Sequence, residues 1–191
     1  MAGRPVHTFE VVRTEQLTPH VIRVVLGGNG FDTFKPNDHT DSYVKLVFVD
    51  DDIDVRTLTS PGNQLTLDSF NALPPEKRPT VRTYTVRQAD TDRREITIDF
   101  VVHGEHGVAG PWAASATPGR RLFVMGPSGA YSPDPRADWH LFAGDESAVP
   151  AISAALEALP DNAIGKVFIE VAGPEDQVEL KAPAGVEVSW I

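Results

Sequence analysis

The sequence predicts a β barrel plus an α/β unit: a six-stranded antiparallel barrel followed by a parallel α/β segment. Three observations predict it. Six short stretches rich in Val, Ile, Phe, Tyr and Thr, punctuated by Gly and Pro, occupy the first two thirds of the chain. The pattern then changes to strand–helix–strand. The charge changes at the same place: residues 1–130 carry 16 acids and 14 bases, a net of −2, whereas residues 131–191 carry 11 acids and 3 bases, a net of −8.

The six predicted strands are Thr8–Leu17, Val21–Leu26, Tyr43–Asp50, Val81–Arg87, Glu95–His103 and Arg121–Met125. The long segment Asp51–Thr80, with Pro61, Pro74, Pro75 and Pro79, is expected to be a lid or a disordered loop. Ser132-Pro133-Asp134-Pro135 reads as a linker. Beyond it, Trp139–Ala143 is a strand, Gly144 a turn, and Pro150–Leu159 a helix with Ile152, Leu156 and Leu159 at helical spacing. Lys166–Ala172 and Val186–Ile191 complete three strands. That is few for a parallel sheet, which normally has both faces covered, so this unit is expected to be incomplete.

Composition excludes several classes of function. The 191 residues include no cysteine, which removes disulfides, thiolate metal sites and a cysteine nucleophile. No apolar run approaches the ~20 residues that cross a bilayer, and the N-terminus lacks a secretory h-region, so a cytoplasmic protein without membrane insertion is expected. A formal charge of −10 argues against nucleic acid as a partner. The six histidines show no zinc-like spacing apart from His103 and His106, and no metal site is expected.

Three patterns carry chemistry. In Arg82-Thr83-Tyr84-Thr85, strand alternation puts Arg82 and Tyr84 on one face and Thr85 on the other. A guanidinium can bind a pyrophosphate through two parallel hydrogen bonds, and a phenol can cover a flavin ring; the same residues also suit a solvated strand face. Asp99, Val101 and His103 share the outer face of the next strand, with Asp99 and His103 about 13 Å apart. That is too far for a catalytic dyad but within the reach of one extended ligand; a solvated face fits equally. After His103 comes a Gly-rich turn into Ala109-Gly110-Pro111-Trp112, with Gly110 as N-cap and Pro111 first in the helix. Its free N–H groups form an anion site, so Arg82 and this helix start could grip one pyrophosphate from two sides. The other reading is a short connecting helix.

RTYTVR, DFVVHG, GVAGPWAASATPG, GPSGAY and GDESAVPAI, in this order, closely resemble the siderophore-interacting protein family, FAD-dependent ferric-siderophore reductases related to ferredoxin–NADP reductases. The resemblance implies an FAD-binding barrel over residues 1–131 and a partial NAD(P)H-binding α/β domain over residues 132–191. It implies that Arg82 holds the FAD pyrophosphate, Tyr84 packs on the flavin–ribityl portion, and Thr85, beside Thr83, bonds near flavin N5. Asp99, Val101 and His103 would line the isoalloxazine or ribityl region. Ala109, Gly110 and Pro111 would supply the helix start at the pyrophosphate, with Trp112 packing beside it. Asp145, in the first turn of the second unit, would lie near the flavin.

The implied function is transfer of electrons from NAD(P)H through FAD to chelated Fe(III), with a ferric siderophore as partner. Ferrous iron binds hard oxygen chelators more weakly, so reduction releases it. The cofactor carries the chemistry, so no side chain is expected as acid, base or nucleophile. Lys45, Arg87 and Arg120 or Arg121 are candidates to face an anionic chelate. The alternatives are a general flavin reductase of the same superfamily and a non-enzymatic FAD- or siderophore-binding module. Acidic Asp145 and Glu146 make the second unit's first turn a poor phosphate cradle; an acidic helix start favoured by the macrodipole fits them as well.

Overall fold

The structure, a computed structural model, describes residues 5–50, 52–58 and 64–191. Seven strands form one antiparallel sheet: β1 (His7–Thr18), β2 (Val21–Gly27), β3 (Tyr43–Phe48), β4 (Thr80–Thr85), β5 (Gln88–Asp90), β6 (Glu95–Val101) and β7 (Arg121–Ser128). Their order is β4-β3-β7-β1-β2-β6-β5. Alternation along β2 and β6 turns Val24, Leu26, Ile96, Ile98 and Phe100 inward, where they meet Phe9, Leu46, Leu122 and Val124. The sheet curls until β4 faces β6, with the rings of Tyr84 and Phe100 4.6 Å apart.

Seven strands stand where six are predicted, because Val81–Arg87 is not one strand. The chain bends at Val86–Arg87: β4 pairs with β3, and β5 pairs with β6. The Arg87 amide already donates to Thr97 O on β6 at 2.9 Å. One bent segment therefore spans the two edges of the sheet and makes it barrel-like without a closed ladder. Buried Val86 anchors the bend in the core. β7 also runs on through Gly126 and Pro127 to Ser128, beyond the predicted end at Met125 and past a register irregularity against β3.

The segment between β3 and β4 is not a lid among its described residues. Thr66 caps the short helix α1 (Leu67–Asn71), its hydroxyl accepting from Ser69 N. Phe70 is fully buried in a second cluster with Val6, Val47, Val55, Phe123 and Met125. The prolines thus punctuate a packed cover for the outer face of β3 and β7. Pro61, Asp51 and residues 59–63 lie outside the described residues.

The helix α2 (Ala109–Ala114) follows β6, and its Trp112 packs against Phe48 and Phe100 at ring distances of 5.8 and 5.7 Å. The second sheet contains β8 (His140–Asp145), β9 (Ile164–Glu170) and β10 (Gly185–Trp190), all parallel in the order β10-β9-β8. Between β8 and β9 runs α3 (Val149–Glu157), with Pro150 in its first turn. It buries Ile152, Ala155 and Leu156 against Val167 and Ile169. Gly144, expected as a turn, instead lies inside β8 opposite Ile169, and its missing side chain admits the start of the helix: a Cβ there would lie 2.4 Å from the Ala148 Cβ. The opposite sheet face carries Leu141, Ile164 and Phe168 at the surface. No described helix is long and apolar enough to cross a membrane.

Candidate functional site

A cavity of about 1100 Å³ opens between the two sheets. Its barrel wall is built from Val21 and Arg23 of β2, Tyr43 of β3, Arg82, Thr83, Tyr84 and Thr85 of β4, and Asp99 and Val101 of β6. The opposite wall comes from Glu146, Ser147, Val149, Pro150 and Ser153 around the start of α3, Glu157 near its end, and the segment that joins β9 to β10. All four residues Arg82–Thr85 reach the cavity. Simple alternation separates Arg82 and Tyr84 from Thr85, but β4 is an edge strand and the cleft wraps around it.

Arg82 is exposed, and its Nη1 donates to its neighbour's carbonyl, Val81 O, at 3.0 Å. It is the one arginine of the cleft without a carboxylate partner among the described residues. Arg23 is gripped by Asp99, and Arg87 by Glu157. Tyr84 lays its ring against Phe100, and burial pushes its phenol pKa up, opposed in part by nearby Arg82. The phenol therefore stays neutral and able to donate. Thr83 accepts a hydrogen bond from Lys45 Nζ at 3.2 Å.

Asp99 does line the cleft, but as the holder of Arg23. The two residues are direct cross-strand partners, and Arg23 Nε and Nη2 donate to the two carboxylate oxygens at 2.7 and 2.8 Å. The Asp99 side chain is only 7% exposed, so its lone pairs face the guanidinium rather than open solvent.

The residues after β6 do not line the cavity. The strand predicted to reach His103 ends at Val101, the last cleft residue, and His103 lies beyond it. Helix α2 begins two residues earlier than predicted, with Val108 as N-cap, which puts Gly110 inside the first turn. Ala109, Gly110 and Trp112 are buried and Pro111 is half-buried. Trp112 belongs to the barrel core, with the Arg120 guanidinium 5.4 Å from its ring centre. Gly110 nevertheless sits close to the cleft wall: a Cβ there would lie 3.7 Å from Val101 O. Asp145 also lies outside the lining. It caps its own turn, accepting from Ser147 N at 2.9 Å and Ser147 Oγ at 2.6 Å, which holds its carboxyl below the usual range. Glu146 lines the cleft, and its carboxylate accepts from Ala172 N at 3.2 Å. Asp145 thus serves its own turn, and Glu146 ties that turn to the segment after β9. Of the candidate cations for a chelate, Arg87 lines the cavity but is paired, Lys45 borders it through Thr83, and Arg120 and Arg121 do not line it.

Sequence reasoning passed over Arg23, Glu157 and the strip from Asp176 to Lys181. Arg23 carried a readable signal, because it alternates with inward Val24 and Leu26 on a strand otherwise built of hydrophobics. Asp176 carried none; its partner, His20, is 156 residues away in sequence.

The sequence and the fold recur in known proteins. Residues 10–131 match the siderophore-interacting FAD-binding domain, and residues 137–191 match the siderophore-interacting protein model. An uncharacterized protein of Mycobacterium tuberculosis is 67% identical over 191 residues, 100% of this chain and 66% of that one. The ferric vibriobactin reductase of Vibrio cholerae is 38% identical over 186 residues, 96% of this chain and 65% of the relative. A siderophore utilization protein from T. fusca superposes with a TM-score of 0.80 at 36% identity, covering 100% of this chain and 70% of that structure. This chain thus spans about two thirds of the length of these curated relatives. With a family model covering most of the barrel-like sheet and a second covering the α/β unit, the chain belongs to the siderophore-interacting protein family.

Proposed function

We propose that this chain binds FAD in the cleft between its two sheets and serves in the reduction of ferric siderophores at the expense of NAD(P)H. The observation that carries the proposal is Arg82: an arginine on the cleft wall with no carboxylate to neutralise it among the described residues, two residues from a neutral, ring-packed tyrosine. The fit to FAD is tested by size and by donors. A cavity of about 1100 Å³ lies just above the usual range for small-molecule sites, roomy enough for a dinucleotide. Arg82 supplies a planar donor fork for phosphate oxygens, and Tyr84 supplies an aromatic face with a phenolic donor.

In this reading Arg82 binds the pyrophosphate, and the α2 start lies beside Val101, a residue of the cleft wall. Tyr84 orients the ring system, while Thr83 and Thr85 offer hydroxyls along it. Asp99 fixes Arg23 on the floor of the cleft as a second, preoriented cation. Val149 and Pro150 bring apolar surface from the α/β side, which excludes water from the ring. FAD, when bound, supplies a group that accepts two electrons together and returns them singly to Fe(III). Nicotinamide would approach from the α/β side, as the resemblance implies. The test is anaerobic: protein loaded with FAD is mixed with NADPH or NADH and then with a ferric siderophore. Bleaching by nicotinamide followed by recolouring on addition of the chelate is the expected result. Bleaching by dithionite alone, with no response to either nicotinamide, would reject nicotinamide-driven turnover by this chain.

A further inference from the structure

We propose that the ion pairs His20–Asp176 and Arg87–Glu157 are straps that hold the α/β unit over the cofactor cleft, and that the first strap loosens as pH rises. Among the described residues these are the two side-chain ion pairs that cross between the units. His20 sits in the turn between β1 and β2, and Arg87 at the bend between β4 and β5. The carboxylates come from the other side: Glu157 ends α3, and Asp176 lies between β9 and β10. Arg87 donates to the two Glu157 oxygens at 3.1 and 2.5 Å. His20 Nδ1 lies 3.0 and 2.9 Å from the Asp176 oxygens. Arg87, Glu157 and Asp176 also line the cleft, so the side chains that join the units are part of the wall around the ligand. The surplus of acid in residues 131–191 thereby meets cations of the barrel-like unit.

The two straps differ in kind. Arg87 is charged at every accessible pH. His20 is half-exposed, whereas the Asp176 side chain has no exposure at all, and a buried carboxylate needs a partner. The groups facing His20 are all acidic: Asp176 and Glu175 from the β9–β10 segment and Glu146 from the turn before α3. The hydrogen bond from His20 and the Asp176 charge raise the imidazole pKa above its ordinary 6.5. A raised histidine contributes its hold fully below the ordinary value and loses it as pH climbs through the raised one. The strap is therefore closed at pH 6 and weakened in alkaline solution, where the buried Asp176 keeps a neutral imidazole and the Thr18 hydroxyl.

The chain has no cysteine, so a spin-label pair at Thr14→Cys and Asn162→Cys, both exposed, reports the separation of the units without interference. The expected result is one narrow distance distribution at pH 6 that broadens at pH 9. His20→Arg should keep it narrow at both values, and His20→Gln or Arg87→Gln should broaden it at both. A distribution that ignores pH, and that His20→Gln leaves unchanged, overturns the proposal. A second readout rests on the FAD assignment: release of bound FAD should be about two- to fivefold faster at pH 9 than at pH 6, and level in His20→Arg. Absence of FAD binding together with pH-dependent distances would defeat that assignment and leave the straps standing. Bound FAD together with distances and release rates indifferent to pH and to His20 would do the reverse.

Discussion

Replacing Asp99 with Ala removes both acceptors of Arg23, which donates to them at 2.7 and 2.8 Å. The pair lies between two regimes: the aspartate side chain is 7% exposed and the arginine 28%. Exposed pairs are worth roughly 0–1 kcal/mol, and breaking a buried one costs roughly 3–5 kcal/mol. The guanidinium can turn partly to solvent but leaves its neighbours unpaired, which puts the expected loss at about 2 kcal/mol. For a chain of this length that is a fall in Tm of about 4–8 °C. Thermal melts by far-ultraviolet circular dichroism measure it. The double substitution Arg23→Met with Asp99→Leu should lose less than the sum of the two single changes, because the charge left alone by either one is absent. A Tm for Asp99→Ala within about 1 °C of the parent, or strict additivity in the double variant, would refute the reasoning and return Asp99 to a solvated strand face.

Three further outcomes follow from the packing. Trp112→Ala should cost about 3–5 kcal/mol even without FAD, since the indole fills the barrel core between Phe48 and Phe100; an unchanged melt would place it at the surface. Phe70→Ala should expose the segment between β3 and β4 to limited proteolysis at protease levels that leave the parent intact, because that ring is fully buried against Phe123; equal cleavage would restore the mobile-loop reading. His7, hydrogen-bonded to Thr33 and buried, has its pKa pushed below 6.5 by desolvation. Its contribution is therefore present above the ordinary value and lost as pH falls below it, the opposite sense to His20. His7→Gln should flatten the acid limb of a Tm-against-pH curve, and an unaltered limb would show that His7 does not govern it.

Much of the frame was legible because alternation and turn residues act locally. The inward rows of β2 and β6 announce themselves, and so does the change to strand–helix–strand after the proline stretch. The break between β4 and β5 did not show, because Val86 continues a run of β-branched and aromatic residues while the hydrogen-bond partner changes from β3 to β6. Phe70 was hidden among prolines, although Leu65, Leu67 and Leu73 around it supply the apolar surface of a packed cover. At the site, Arg82 and Tyr84 were readable as types in a pattern. Asp99 was placed in the cleft, but its role depends on register: only the alignment of β2 with β6 sets Arg23 opposite it. Trp112 was read beside a phosphate from the resemblance alone; its packing between Phe48 and Phe100 depends on tertiary contacts that no local pattern encodes. Links such as His20 to Asp176 have no local signature, since nothing near either residue encodes the other.

The most direct measurement is a titration of the cofactor-free chain with FAD, followed by absorption and flavin fluorescence, for the parent, Arg82→Ala and the distant control Arg136→Ala. The parent and the control should turn yellow and bind alike. Arg82→Ala should keep its fold and bind about 10- to 100-fold more weakly, the loss of a charge-assisted grip on phosphate. A parent chain that takes up no FAD, or an Arg82→Ala variant that binds as tightly as the parent, would contradict the assignment of the cleft.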